Sequence, residues 1–248
     1  MKLEEILDAS ILIGFHLLSN GADVSRVEQS ITYLCSAYGI KESEAFVIPS
    51  SIVVTIQDGA TSLTKTKRVL THQINLDRVE KISGLSRYIC TARPEYAIIK
   101  SRMEEILLLP RFPLKWRYFA HLLTGASFCI FFGGTLFDAL AAGLIGLLIL
   151  FVSNFFERIK ANPFFQTIIV SFLIALISRI LAHTTQGFFH SDLIIIGDIM
   201  LLVPGLALAN SMRDFIASDT MTGLSRLTEA LFVAIGVALG VAFAMYVY

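Results

Sequence analysis

The sequence predicts a membrane protein in two parts: an N-terminal cytoplasmic α+β domain of order αα-ββ-αα, and a five-helix transmembrane bundle. Three observations predict it. The chain has 248 residues, 55% of them hydrophobic, and a mean hydropathy of +0.70. That excess lies after Lys115, in stretches at about 118–136, 139–156, 164–182, 193–209 and 227–248, each long enough for a hydrocarbon core of about 30 Å. The Lys and Arg between the stretches alternate in side. Arg111, Lys115 and Arg117 precede the first, Arg158 and Lys160 follow the second, and Arg213 and Arg226 lie between the fourth and fifth. The connectors around 133–138 and 183–192 have neither. The positive-inside rule then places the N-terminus in the cytoplasm and the C-terminus outside a plasma or inner membrane. The expected domains are 1–115 and 116–248.

Within the first domain, Leu3, Ile6, Leu7, Ile11, Gly14, Leu17 and Leu18 repeat at helical spacing. Glu4, Glu5 and Asp8 suit the positive end of that helix, and Gly21 is its expected stop. Val24, Val27, Ile31, Leu34, Cys35 and Tyr38 define a second helix. Ser25 and Glu28 stand at capping-box spacing, and Asp23 is an equally good cap. Ala45–Gln57 and Thr61–Val69 flank Asp58-Gly59 and predict one β-hairpin, with Pro49 at a strand start or an edge. Helices at about 75–90 and 94–109 follow, the second with Pro94 in its first turn. Pro110 and Pro113 hand the chain to the membrane part.

Composition excludes several function classes. Twenty basic residues balance twenty acidic ones, which argues against a nucleic-acid partner. The acidic N-terminus is unlike a signal peptide, so the internal spans are expected to drive insertion. Cys35, Cys90 and Cys129 are widely spaced, without a CxxC pair, and read as reduced thiols. There is no P-loop, no GxSxG and no metal-spaced His cluster, so the sequence predicts no catalytic residues, no metal and no cofactor. His16 and His72 read as structural or surface residues. Lys65, Lys67 and Arg68 form a basic cluster, either a solvated strand face or a contact for anionic lipid.

Ionisable groups inside spans are expensive and mark function. Asp198, Glu229 and Arg179 qualify as proton-coupling or intramembrane-charge candidates, with Arg179 and Asp198 at similar depth and able to pair. Asp138 and Asp192 fall in outer connectors. Pro204-Gly205 falls near the middle of the fourth stretch, where it removes a helix hydrogen bond. Such a break is either a packing kink or a device for presenting backbone to a substrate. Gly236 and Gly240 stand four apart, a spacing that permits close helix contact.

The segment LLVPGLALANSMRDFIASDTMTGLSRLTEALFVAIGVALG (201–240) and the stretch GADVSRVEQSI (21–31) resemble the threonine/serine exporter family. The resemblance covers essentially the whole chain. It carries the family motif onto Pro204, Gly205, Asn210, Arg213, Asp214, Asp219, Gly223, Arg226 and Glu229, leaving Arg179 and Asp198 unmatched. Pro204, Gly205, Asn210, Arg213, Asp214, Asp219 and Arg226 are the resulting substrate-binding or gating candidates. The resemblance implies a secondary exporter subunit for threonine and serine, and with no nucleotide-binding motif the proton gradient is the expected energy source. Family members fuse such a chain to a second membrane module, so a separate multi-span membrane protein is the expected partner. The polar 210–226 connector offers arginines for a carboxylate and acids for an ammonium or a proton. Export of small organic acids such as the dicarboxylate succinate is the alternative within transport. A non-transporting sensor or scaffold and a membrane enzyme are the rival classes.

Overall fold

The computed structural model describes residues 1–70, 74–109, 113–159 and 161–247. His72, Pro110, Arg111 and Lys160 therefore lie outside the described residues. Contacts divide the chain into two compact units: Met1–Pro110 with Asp214–Ser225, and Arg111–Arg213 with Arg226–Tyr248.

The first unit opens with α1 (Leu3–Ser19) and α2 (Val24–Ala37). Gly21 follows α1 with φ 93°, a conformation glycine adopts without a Cβ penalty. Asp23 holds the N-cap position of α2. Glu28 does not form the alternative capping box. Its Oε1 accepts the Val47 backbone N–H at 3.1 Å, tying α2 to the sheet.

The sheet corrects the expected hairpin. It has three antiparallel strands in the order β1-β2-β3: β1 (Glu42–Ile48), β2 (Ser51–Asp58) and β3 (Thr61–Arg68). The run Ala45–Gln57 is two strands, because Pro49-Ser50 forms a two-residue turn between the paired Ile48 and Ser51. Pro49 is thus in a turn, where its missing N–H costs the ladder nothing. Gly59-Ala60 closes the second hairpin, with Gly59 at φ 58°. Ile52, Val54 and Ile56 on one face of β2 are fully buried. The observed order is αα-βββ-αα. Two members of the exposed basic cluster on β3 meet α1: Lys65 Nζ pairs with Asp8 at 2.5 Å, and Lys67 Nζ lies 5.2 Å from the Phe15 ring centroid.

Helices α3 (Leu76–Ala92) and α4 (Tyr96–Leu108) complete the layer. Asn75 caps α3 by accepting from the Arg78 N–H at 3.1 Å. Pro94 precedes α4 rather than sitting in its first turn, and its carbonyl accepts from the Tyr38 hydroxyl at 2.5 Å. The core draws on all of these elements, with Ile13, Leu17, Ile31, Leu34, Ile52, Ile56, Ile82, Ile89, Ile99 and Met103 fully enclosed.

The second unit contains α5 (Leu114–Phe131), α6 (Leu136–Arg158), α7 (Pro163–Thr184), α8 (Ser191–Ile199) and most of α9 (Gly205–Ile216) and α10 (Thr220–Val247). Among the described residues three helices are long and apolar enough to cross a membrane: Leu136–Phe156, Pro163–Thr184 and Thr220–Val247. Two of the five expected stretches are not continuous helices. The first apolar stretch is cut by a turn after Phe131, with Gly133 at φ 99°, and α5 reaches back to include Lys115 and Arg117. The fourth is cut after Ile199, leaving α8 nine residues long, about 14 Å at a helical rise. Apolar side chains face outward from this unit. On α6, Leu136, Leu140, Leu144, Leu148, Phe151 and Phe155 form an exposed stripe, and on α10 Leu231, Ile235, Leu239 and Phe243 form another. Such faces mark a surface built for lipid or protein rather than water.

Candidate functional site

The interior of the second unit is organised by glycines. A Cβ on Gly197 of α8 would lie 2.9 Å from the Cys129 backbone nitrogen of α5. A Cβ on Gly125 of α5 would lie 2.7 Å from Asp198 Oδ1 and 3.0 Å from the Ala142 carbonyl oxygen of α6. The helices thus meet nearly backbone to backbone, and Asp198 is seated where they converge. It is 0% exposed, and among the described residues neither of its carboxylate oxygens accepts a hydrogen bond. The pairing with Arg179 that similar depth allows is not made by either Asp198 oxygen. Arg179 is half-buried on α7. A carboxylate removed from water without donors is held at a cost of several kcal/mol unless a proton or a cation joins it.

His121 belongs to the same face. It precedes Gly125 by one turn and Cys129 by two along α5, its Nδ1 is buried, and that atom has no hydrogen-bond partner among the described residues. Sequence reasoning missed it, although the i, i+4, i+8 spacing of His121, Gly125 and Cys129 was available as a signal.

Asp138 was also missed, as a connector residue needing no explanation. It is 0% exposed and fully satisfied. Its Oδ2 accepts from the Thr135 N–H at 2.9 Å and the Thr135 hydroxyl at 2.7 Å. Its Oδ1 accepts from the His190 N–H at 2.9 Å, and His190 Nδ1 lies 3.0 Å from Oδ2. Asp138 therefore clamps the start of α6 to the start of α8.

The break after α8 runs from Met200 to Pro204, with Leu202 N–H bonding to the Ile199 carbonyl at 2.8 Å and Leu208 N–H to the Pro204 carbonyl at 3.1 Å. Pro204 thus opens α9 rather than kinking a continuous helix. A Cβ on Gly205 would meet nothing within 4 Å, so close packing does not require that glycine. Beside the break a cavity of about 570 Å³ is lined by Val203, Pro204, Leu208 and the apolar face of α10. Its lining is too apolar to host a carboxylate. Farther along, Gly236 and Gly240 pack against Thr167 and Ser171 of α7, the close helix contact their spacing permits.

The connector candidates divide between the two units. Asn210, Arg213, Arg226 and Glu229 belong to the second, and Asp214, Asp219 and Gly223 to the first. Asn210 and Arg226 are half-buried, while Arg213 and Glu229 are exposed. Asp214 is buried. Asp219 caps α10, its Oδ1 accepting the Thr222 N–H at 3.2 Å. It also lies near enough to Glu28 to act on it. Burial raises the Glu28 carboxyl above its ordinary value, the Val47 N–H opposes that, and the Asp219 charge adds to it. A Cβ on Gly223 would lie 3.0 Å from the Phe215 ring, so this glycine lets the end of α9 fold over α10. Among the described residues no cluster of His, Cys, Asp or Glu could hold a metal ion.

Membrane-length helices with apolar outer faces, and a buried carboxylate without a donor inside the unit, define a membrane protein with a candidate functional group in its interior. The family described as "Putative threonine/serine exporter" matches residues 8–248, and the chain belongs to that threonine/serine exporter family. It is 25% identical to the "Probable succinate transporter subunit YjjP" of Klebsiella aerogenes, over 95% of this chain and 91% of the relative. It is 22% identical to the "Probable threonine/serine exporter" of Mycobacterium tuberculosis, over 97% of this chain but 46% of the relative. The "Threonine/serine exporter" of Corynebacterium glutamicum is likewise 22% identical, over 95% of this chain and 50% of the relative. No solved structure matches the chain significantly.

Proposed function

We propose that this chain is one subunit of a proton-coupled secondary exporter for small carboxylate-bearing metabolites, working with a second multi-span membrane protein. Small organic acids of the dicarboxylate type are the first substrate class. The observation that carries the transport reading is Asp198, a fully buried carboxylate without donors beside a helix break. Such a group is suited to take up and release a proton as the helices around it rearrange. Arg179, Glu229 and His121 are the further charge and proton candidates. Pro204, Gly205, Asn210, Arg213, Asp214, Asp219 and Arg226 are the candidates for substrate loading and gating. The crossings in this reading are α5, α6, α7, the broken pair α8–α9, and α10. The N-terminus is cytoplasmic and the C-terminus outside, as the alternation of Lys and Arg favours.

The organic-acid class is favoured because the chain spans 91% of a relative named as a succinate transporter subunit. The word "subunit" in that name supports a partner. Threonine and serine are the second reading, favoured by the family description and by the two exporters of which this chain spans about half.

Cells loaded with labelled succinate, threonine and serine test both. This chain is expressed alone and then with its proposed second subunit. Succinate efflux that needs both proteins and collapses with a protonophore is the expected result. Efflux of threonine or serine instead selects the second reading. Efflux insensitive to the protonophore refutes proton coupling.

A further inference from the structure

The first unit carries a groove that the transport reading does not use. It lies between α2 and α3 and encloses about 710 Å³, within the range of small-molecule sites. Arg26 from α2 and Arg87 from α3 stand on its walls. Both are exposed, and among the described residues neither guanidinium makes a hydrogen bond or an ion pair. Two cations in one concave surface repel each other unless an anion joins them. Ser30, Ser83, Ser86 and Thr91 add hydroxyls. Ser30 and Thr91 are turned back onto their own helices, bonding to the Arg26 and Arg87 carbonyls at 2.8 and 3.0 Å. Ser83 is different: its hydroxyl oxygen is shielded from water and has no partner among the described residues. A buried polar atom left unsatisfied calls for a ligand or a water.

The rest of the wall is apolar. Val79 is buried, while Tyr33 and Leu76 are 65% and 61% exposed, unusual for large side chains that have no partner to cover them. Glu80 is the groove's acidic residue. A guanidinium pair beside apolar surface, with one carboxylate that disfavours a highly charged inorganic ion, fits an organic anion with a short carbon skeleton.

We propose that the α2–α3 groove is a binding site for a small carboxylate-bearing metabolite, held by Arg26 and Arg87 with Ser83 as a third donor. It is a site on the N-terminal unit, separate from Asp198, and it stands whether or not Asp198 carries a proton.

Cys90 provides a local readout, because it lines the groove and is half-buried. Burial pushes its thiol above the usual range, so alkylation is slow and easily modulated. Cys35 and Cys129 are fully buried. The test uses the full chain in detergent and follows alkylation of Cys90 by N-ethylmaleimide, read by peptide mass spectrometry. Succinate, threonine and inorganic phosphate are the probes.

Succinate is expected to slow labelling severalfold. Arg26→Ala and Arg87→Ala are each expected to weaken that protection about tenfold, as loss of a charge-assisted pair does. Ser83→Ala weakens it less. Lys81→Ala, which removes an exposed partner of Asp77 outside the groove, leaves it unchanged. The Asp198→Asn chain is expected to keep full protection, which separates this site from the transport reading. Labelling that no probe alters, or protection that survives Arg26→Ala/Arg87→Ala, overturns the proposal. Protection by phosphate equal to that by succinate overturns the carboxylate assignment.

Discussion

Asp138 and Asp198 are the same residue type, both fully buried in the same unit, and they are opposite in every other respect. Asp138 sits at the entry of α6 and is met by Thr135 and His190 through four contacts of 2.7 to 3.0 Å. Asp198 sits near the end of α8, against Gly125, and is met by no donor among the described residues. Burial alone therefore says little about purpose. The satisfied carboxylate fixes two helix starts. The unsatisfied one is held at a cost to the fold, a cost that the proposed proton-carrying role would account for.

The largest expected effect breaks the pair apart by stability. Asp138→Ala orphans the His190 and Thr135 donors and should cost about 3 kcal/mol or more, as loss of one member of a buried charged network does. Asp198→Asn orphans nothing and should leave the melting temperature within about 2 °C or raise it. Thermal unfolding of both variants in the same detergent checks this. A larger loss for Asp198→Asn would mean that unseen groups satisfy it.

Next come the glycines. Gly125→Ala drives a methyl against Asp198 and the Ala142 carbonyl and should cost about 1–3 kcal/mol. Gly205→Ala places its methyl in open space and should be neutral or stabilising by about 0.4–1 kcal/mol through the unfolded chain. Equal effects would contradict the close approach of α5, α6 and α8.

The smallest effect lies in the N-terminal unit, where the same contrast recurs. Glu28 is partly buried but has the Val47 N–H. His16 is half-buried, and burial first, then Arg78 and Lys67, hold its pKa below the ordinary 6.5. The unfolded chain then binds more protons than the folded one as pH falls below that value. The His16 contribution is thus present above pH 6.5 and lost on acidification. His16→Gln should flatten the fall in melting temperature between about pH 7 and 5. An unchanged slope would remove His16 as its cause.

Legibility in the sequence followed the same line between local and long-range features. The helices of the N-terminal unit and the Asp58-Gly59 hairpin were readable because periodicity and turn residues act locally. Pro49-Ser50 also carries a turn signal, but the Val and Ile residues on both sides of it read as one strand. The interruptions at Phe132–Thr135 and Met200–Pro204 were harder. Hydropathy continues across both, and only Gly133-Gly134 and Pro204 mark them. At the site, Asp198 and the helix break stood out because charge and proline are costly in lipid. Asp138 did not, since its position in a connector hid the contacts that His190 makes from 52 residues away. His121 did not either, since its burial depends on how α5 packs. The division of the 210–226 connector between two units is a long-range property with no local signal.

The measurement that tests the central claim most directly is succinate flux in vesicles containing this chain and its proposed partner subunit, wild type against Asp198→Asn. Two modes are compared: net efflux driven by a pH gradient, and exchange of labelled for unlabelled succinate without one. A proton carrier at Asp198 predicts loss of gradient-driven efflux with exchange retained, at normal membrane levels of both proteins. Gradient-driven efflux at the wild-type rate in Asp198→Asn would contradict it.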